Sequence, residues 1–167
     1  MRAAGHGRIV LITSIAAQEP IEGLLTSSTL RAGLHGFVNA LAREIGALGI
    51  TANAVMPGYT RTNRLIELAD RWAEQRGTTR EGVLESLAAG TPIGRIAEPA
   101  ELAAAVAFLC SEQAAAINGV ALPVDGGELR SDPARRLGGV ERAVDLPGVA
   151  PRHAHEGAGV GDGERLQ

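Results

Sequence analysis

The sequence has few aromatic residues, one cysteine and no lysine, and each shortage excludes something. Phe, Trp and Tyr make up 2% of the 167 residues, so the core must be built from Ala, Val, Leu and Ile. The single cysteine, Cys110, cannot form a disulfide within the chain and argues against a cysteine-based metal site. Because Cys110 lies in an apolar helical run, we expect it to be buried in the core.

All 16 basic residues are arginines, so no ammonium side chain is available for catalysis. The formal net charge is −3 with interspersed signs, which gives no electrostatic indication of a nucleic-acid partner. No segment approaches the length of a transmembrane helix, and the opening "MRAAGHGR" leads into no long apolar stretch of the signal-peptide kind. These absences predict a soluble cytoplasmic protein with no membrane partner.

Hydrophobic residues make up 45% of the chain, which is enough for the core of one domain. Apolar periodicity and Pro/Gly breaks predict strands at 7–14, 50–56 and 119–127, and helices at about 28–48, 62–76, 81–88 and 98–112. The first strand reads as buried on both faces. Alternating strands and helices predict an α/β fold with a parallel sheet.

Residues 130–167 differ from the rest of the chain, being rich in Gly, Pro, Arg and acidic residues without an apolar period. This composition predicts a disordered tail after an ordered part over 1–129. The tail contains "RHAH" (152–155), but two histidines in such a segment do not define a metal site, and we expect none.

Three stretches carry a resemblance: "GRIVLITSIAA", "RAGLHGFVNALAREIGALGITANAVMPGYTRT" and "TPIGRIAEPAELAAAVAFLCSEQAAAINGVALPVDGG". Over roughly residues 7–128 the chain resembles the C-terminal half of the short-chain dehydrogenase/reductase family, especially its 3-oxoacyl-carrier-protein reductase-like members. The resemblance implies the last three strands of a Rossmann-like, doubly wound parallel sheet. It also implies an oxidoreductase that uses NAD(P), acts on small-molecule ketones and forms homo-oligomers or associates with a related subunit.

The other half of the family's domain normally carries a glycine-rich turn that binds the cofactor pyrophosphate at a helix N-terminus. In this sequence no glycine-rich turn follows a strand and opens a helix. We therefore expect a truncated chain, either with Met1 as an internal methionine of a longer protein or as a half-domain. A half-domain would expose Val10, Leu11 and Ile12 at an open sheet edge, which favours oligomers or aggregation.

The resemblance also assigns the catalytic positions. Ser14 occupies the place of the serine that orients the substrate carbonyl. Ser27, thirteen residues later, stands where the family has its catalytic tyrosine, and Arg31 stands where it has lysine. The i, i+4 spacing keeps the pair on one helix face. A serine hydroxyl is a far weaker acid than a phenol, so the site is degenerate, although Arg31 could still bind a ribose hydroxyl.

The stretch "PGYTRT" resembles the family's cofactor loop. There Pro57 and Gly58 would turn the chain against the nicotinamide, and Thr60 and Thr62 would bond its carboxamide or the pyrophosphate. Tyr59 would form a pocket wall. The alternative is a plain strand-to-helix turn.

Two hypotheses remain open. The first is a family oxidoreductase, NAD(P)-dependent and 3-oxoacyl reductase-like, that is weak or inactive as given. The second is a non-catalytic interaction module that pairs with itself or with an active relative. Glu22 and His35 are the remaining side chains that could move protons near the degenerate pair.

Overall fold

The computed structural model describes residues 1–21 and 23–130, so nearly all of the predicted tail, including "RHAH", lies outside the described residues. Its strands are β1 (Gly7–Ile12), β2 (Ile50–Pro57) and β3 (Ala121–Val124). They form one parallel sheet in the order β1-β2-β3. The predicted α/β class and the parallel sheet are confirmed.

Four helices connect and cover the strands: α1 (Leu25–Ile45), α2 (Asn63–Arg76), α3 (Arg80–Gly90) and α4 (Pro99–Cys110). Helix α4 begins with a capping box between Glu98 and Glu101 and carries Pro99 at its first position, as the "EPAE" pattern favours. Helix α1 begins about three residues earlier than the sequence predicts.

The middle strand β2 is the core of the sheet, and its first seven residues are buried. Asn53 is fully buried there, where its amide donates to the Ile117 carbonyl (2.9 Å) and accepts from the Val120 N–H (3.1 Å). Asn118 similarly joins the Ala52 N–H (2.9 Å) to a carbonyl of α1. Two asparagines thus tie β2 to the chain that enters β3.

Strand β1 is the edge of the described sheet, and the prediction that it is buried on both faces is wrong. Its residues after Gly7 are half-buried or exposed, and Ile12 is 57% exposed. The physical reason is that only β2 pairs with β1, so the opposite side of the strand has no neighbour among the described residues.

The prediction that Cys110 is buried is also wrong. Cys110 is exposed, because Leu109 turns towards the core and the next residue then lies about 100° further around the helix. The large apolar side chains of α1 differ in exposure. Val38 and Ile45 are buried, whereas Leu30 (67%) and Phe37 (53%) face outwards.

Candidate active site

The carboxyl ends of the three strands meet at one edge of the sheet because the strands are parallel. β1 leads into Thr13 and Ser14, β2 into the 57–62 loop, and β3 into the 125–129 turn. In open α/β sheets this edge is where ligands bind. All the predicted site residues except those on α1 lie on these three segments, and α1 follows the first of them.

Ser14 caps the short 3-10 turn Ile15–Ala17, which we call the β1–α1 turn. Its backbone is extended (φ −173°), and its hydroxyl oxygen accepts from the Ala16 N–H at 3.1 Å. The side chain is half-buried. The hydroxyl hydrogen is not used in that cap, so Ser14 can still donate to a bound carbonyl.

Ser27 and Arg31 contact each other one turn apart on α1. The Arg31 Nε donates to the Ser27 hydroxyl at 3.1 Å, and Arg31 Nη1 donates to the Thr13 carbonyl. The guanidinium therefore clamps the first turns of α1 to the end of β1. Both of these hydrogen bonds direct it into the protein rather than towards a ligand.

His35 lies one turn further along α1 and contacts the same segment. Its Nε2 is 3.1 Å from the Thr13 hydroxyl, which itself donates to the Val55 carbonyl at 3.1 Å. A hydroxyl has one hydrogen, so His35 Nε2 must be the donor in their contact. Burial lowers the pKa of His35, which favours the neutral ring. Glu22, the other candidate proton carrier, lies outside the described residues.

The 57–62 loop is held by its own hydrogen bonds. The Thr60 hydroxyl donates to the Gly58 carbonyl (3.2 Å), and the Thr62 hydroxyl accepts from Leu65 N–H (3.3 Å) as the N-cap of α2. The Thr62 hydroxyl also lies 3.4 Å from the Thr60 carbonyl. A short parallel bridge to Ala97 holds the loop from the other side. Both hydroxyls thus have partners within the chain.

Sequence reasoning missed Glu128, which lies directly over this loop. Its Oε2 accepts from the Tyr59 N–H at 3.2 Å. A Cβ added to Gly58 would come within 2.6 Å of that oxygen and 2.9 Å of the Asp125 Cα, so the loop packs closely against the turn after β3 at this point. Burial, with the neighbouring Asp125 and Glu19 carboxylates, raises the pKa of Glu128 to about 7, although the Tyr59 N–H opposes the rise. The only available signal was an acidic residue just after a predicted strand.

Tyr59 packs edge-on against Trp72, with ring centroids 6.2 Å apart, and it forms a half-buried wall. Burial, reinforced by the Glu128 carboxylate, raises the pKa of Tyr59 to about 12. A tyrosine that donates a proton near neutral pH needs its pKa lowered by a nearby cation. The only tyrosine in the chain is therefore unsuited to act as the proton donor that the resemblance implies at position 27.

Comparisons with known proteins identify the class. A family model described as enoyl-(acyl carrier protein) reductase matches residues 1–128. The L-sorbose reductase of Gluconobacter frateurii, solved with NADPH and L-sorbose, superposes with a TM-score of 0.73 at 37% identity over 78% of this chain and 50% of its own. The chain belongs to the short-chain dehydrogenase/reductase family of oxidoreductases.

Within that family the chain is 3-oxoacyl-acyl-carrier-protein reductase-like. It is 40% identical over 122 residues to the 3-oxoacyl-[acyl-carrier-protein] reductase of Escherichia coli K12, covering 73% of this chain and 46% of that protein. It is 37% identical over 127 residues to the acetoacetyl-CoA reductase of Allochromatium vinosum, covering 76% and 47%. The chain spans about half the length of the curated relatives it matches.

Two features are absent from the part of the chain that the structure describes. No helix among them combines the length and apolar character needed to cross a bilayer. They also contain no group of three or more His, Cys, Asp or Glu side chains that could hold a metal ion.

Proposed function

We propose that the chain supplies the substrate side of an NAD(P)-dependent reductase of 3-oxoacyl-type ketones and has weak or no turnover by itself. The observation that carries this proposal is the hydrogen bond from Arg31 to Ser27, at the positions where the family resemblance places lysine and tyrosine. The spacing and the contact persist, but the pair contains no group that releases a proton near neutral pH.

The chemistry of the pair supports weak turnover. Reduction of a ketone needs a proton for the developing alkoxide, and positioned acids contribute about 10²–10⁴-fold to such steps. The Ser27 hydroxyl accepts from a guanidinium that stays protonated at all relevant pH values, so Arg31 cannot pass a proton on. Ser14 could still orient a carbonyl through its unused hydrogen.

The residues fit the cofactor on one side only. The 57–62 loop is a rigid turn at the carboxyl edge whose backbone could face a nicotinamide. The Arg31 guanidinium, which would have to reach the ribose, instead bonds Ser27 and the Thr13 carbonyl. Within residues 1–21 and 23–130 no glycine-rich turn joins a strand to a helix.

The test introduces a tyrosine and a lysine at positions 27 and 31, which would supply the proton donor. Residues 1–130 are joined behind the first half of the Escherichia coli relative, and NADPH oxidation with acetoacetyl-CoA is measured. We expect the variant Ser27→Tyr/Arg31→Lys to exceed the unchanged hybrid by about 10²-fold or more. Ser27→Phe/Arg31→Lys is the matched control, because it restores the bulk without the phenol, and it should stay low. Rapid turnover by the unmodified full chain would refute the proposal.

A second candidate function is an interaction module that pairs with a second copy or with an active relative. It is favoured by the outward-facing Leu30 and Phe37 on α1 and by Ile12 on the edge strand. Leu30 and Phe37 are seven residues apart and so share one face of α1, and exposed apolar side chains on one face are typical of protein contacts. Sedimentation of the full chain should show oligomers that Leu30→Glu/Phe37→Glu dissociates, whereas Ala89→Glu on the exposed side of α3 should leave them intact. A monomer at all concentrations would exclude self-association.

A further inference from the structure

A cleft of about 250 Å³ opens between the β1–α1 turn and α3 at the carboxyl edge of the sheet. Ile15, Ile21 and Leu87 give it apolar walls, and Glu128 and Arg130 line it from the segment that follows β3. Ligand sites of α/β sheets lie at this edge, and mostly apolar clefts with a few fixed polar groups are the usual form.

The polar end of the cleft is fixed by contacts within the chain. Leu129 is buried and packs with Ile15 and Met56. Because Leu129 follows Glu128 directly, this packing fixes the backbone at Glu128. The Arg130 N–H donates to Glu19 Oε2 at 3.0 Å and thereby joins the two sides of the cleft. The Glu19 and Glu128 carboxylates thus each accept a backbone N–H at the edge of the cleft.

Several charged groups surround Glu128. The titratable groups that face it are Glu19, Asp125, Arg130 and the Tyr59 phenol, so two carboxyl groups and one guanidinium lie near the Glu128 carboxyl. Burial and the neighbouring carboxylates raise the pKa of Glu128, whereas Arg130 lowers it. A cation placed against Glu128 would relieve this repulsion and favour its ionised form.

We propose that the cleft binds a small molecule with an apolar body and an ammonium group, the ammonium resting against Glu128. The volume is below the range of about 300–1,000 Å³ that is usual for drug-sized ligands, so the ligand is small. Its apolar part would lie on Ile21 and Leu87. If the ligand is the ketone substrate, that substrate carries an amine, and this part of the inference rests on the proposed function. Binding of the ammonium compound itself requires neither cofactor nor turnover.

Three probes with one carbon skeleton test the charge preference: pentylammonium, pentan-1-ol and pentanoate. Each is titrated into the full chain at pH 6.5 by calorimetry in buffers of different ionisation enthalpy. We expect pentylammonium to bind at least about tenfold more tightly than pentan-1-ol, and pentanoate most weakly. Binding of the ammonium should release about half a proton or more, because it drives Glu128 to ionise.

Two variants locate the effect. Glu128→Gln should remove the proton release and the preference for pentylammonium. Gly58→Ala should weaken that preference while keeping Glu128, because the added methyl group would lie 2.6 Å from Oε2 and force the carboxylate to move. Glu85→Gln is the matched control, since Glu85 is exposed on α3 and does not line the cleft. Circular dichroism checks that each variant is folded.

Equal affinity for the ammonium and the alcohol, no binding of any probe, or proton release that persists in Glu128→Gln would each overturn the inference. The outcomes are independent of the reductase test. A cleft that binds pentylammonium as expected in a chain that never reduces a ketone would refute only the link to the substrate. A hybrid that gains activity with Tyr and Lys but shows no preference among the probes would leave the proposed function standing without this cleft.

Discussion

The two sides of the candidate site are built differently. On the β2–β3 side the chain is shaped by backbone geometry, with Gly58 against Glu128 and Gly126 in a left-handed conformation (φ 63°). On the β1–α1 side it is held by side chains, since Arg31 and His35 both reach Thr13. The first side therefore depends on glycines at closely packed positions. The second side uses Arg31, at the position where the resemblance implies a lysine, as a structural clamp.

This difference teaches that the fold and the chemistry depend on separate residues. An i, i+4 pair at the start of α1 can be exchanged without loss of the helix, because Arg31 finds acceptors in Ser27 and in the Thr13 carbonyl. A glycine in a crowded left-handed turn has no such substitute. Variants on the two sides should therefore differ in their effect on stability.

The largest contrast is expected between two glycines. In Gly126→Ala the new Cβ would meet Ile93 Cδ1 at 2.7 Å in a backbone conformation that disfavours side chains, so we expect the free energy of unfolding of the full chain to fall by about 2–4 kcal/mol. Gly33→Ala on α1 meets nothing within 4 Å and should raise it by roughly 0.5–1 kcal/mol. Urea denaturation of both variants measures the contrast.

Equal effects at the two glycines would show that the β3 turn is no more constrained than an exposed helix. A large loss at Gly33 would be equally informative, because it would mean that a partner covers that face of α1 in solution.

The next effect concerns the pH dependence of stability. The pKa of Glu128 rises from 4.5 to about 7 on folding because its carboxyl group is buried. The native state therefore favours the protonated carboxyl. The free energy of unfolding falls as the pH rises from about 4.5 to about 7, because folding must then keep the ionised carboxylate in the cleft. Since the side chain is half-buried, we expect this cost to be about 1–2 kcal/mol.

Glu128→Gln keeps an acceptor for the Tyr59 N–H and removes the titration. It should match the wild type at pH 4.5 and exceed it by that amount at pH 8, as measured by thermal and urea unfolding across the range. Glu85→Gln should leave the pH profile unchanged. A wild-type profile that is flat between pH 4.5 and 8 would contradict the assignment of this cost to Glu128.

A smaller effect is expected from Arg31→Ala, which removes the clamp between α1 and β1. Loss of the bonds to Ser27 and the Thr13 carbonyl should cost about 1–2 kcal/mol of unfolding free energy. Arg71→Ala on the exposed side of α2 should stay within about 0.5 kcal/mol of the wild type. If the two substitutions cost the same, Arg31 does not clamp the helix and is free for a ligand.

The sequence was sufficient for the parallel sheet, because apolar runs, Pro–Gly breaks and the "EPAE" helix start are local signals. The sequence was not sufficient to predict which apolar side chains are exposed, as Ile12, Phe37 and Cys110 show. Whether an apolar residue is covered depends on which elements lie beside it, and the periodicity of one helix or strand does not contain that information. The same limit explains the site. The contact between Ser27 and Arg31 follows from spacing along one helix, whereas Glu128 meets Tyr59 only through a long-range fold contact.

The smallest predicted effect tests what the Thr62 hydroxyl does. The family resemblance implies that this hydroxyl bonds the cofactor. In the structure it accepts a hydrogen bond from the Leu65 N–H and so caps α2. Thr62→Ala should therefore lower the free energy of unfolding by about 1 kcal/mol, and Thr62→Ser should recover most of it. Thr79, which caps α3 in the same way, provides a matched reference, and Thr79→Ala should cost a similar amount. If Thr62→Ala costs clearly less than Thr79→Ala, the hydroxyl does not cap α2 in solution and is free to bind a ligand, as the resemblance implied.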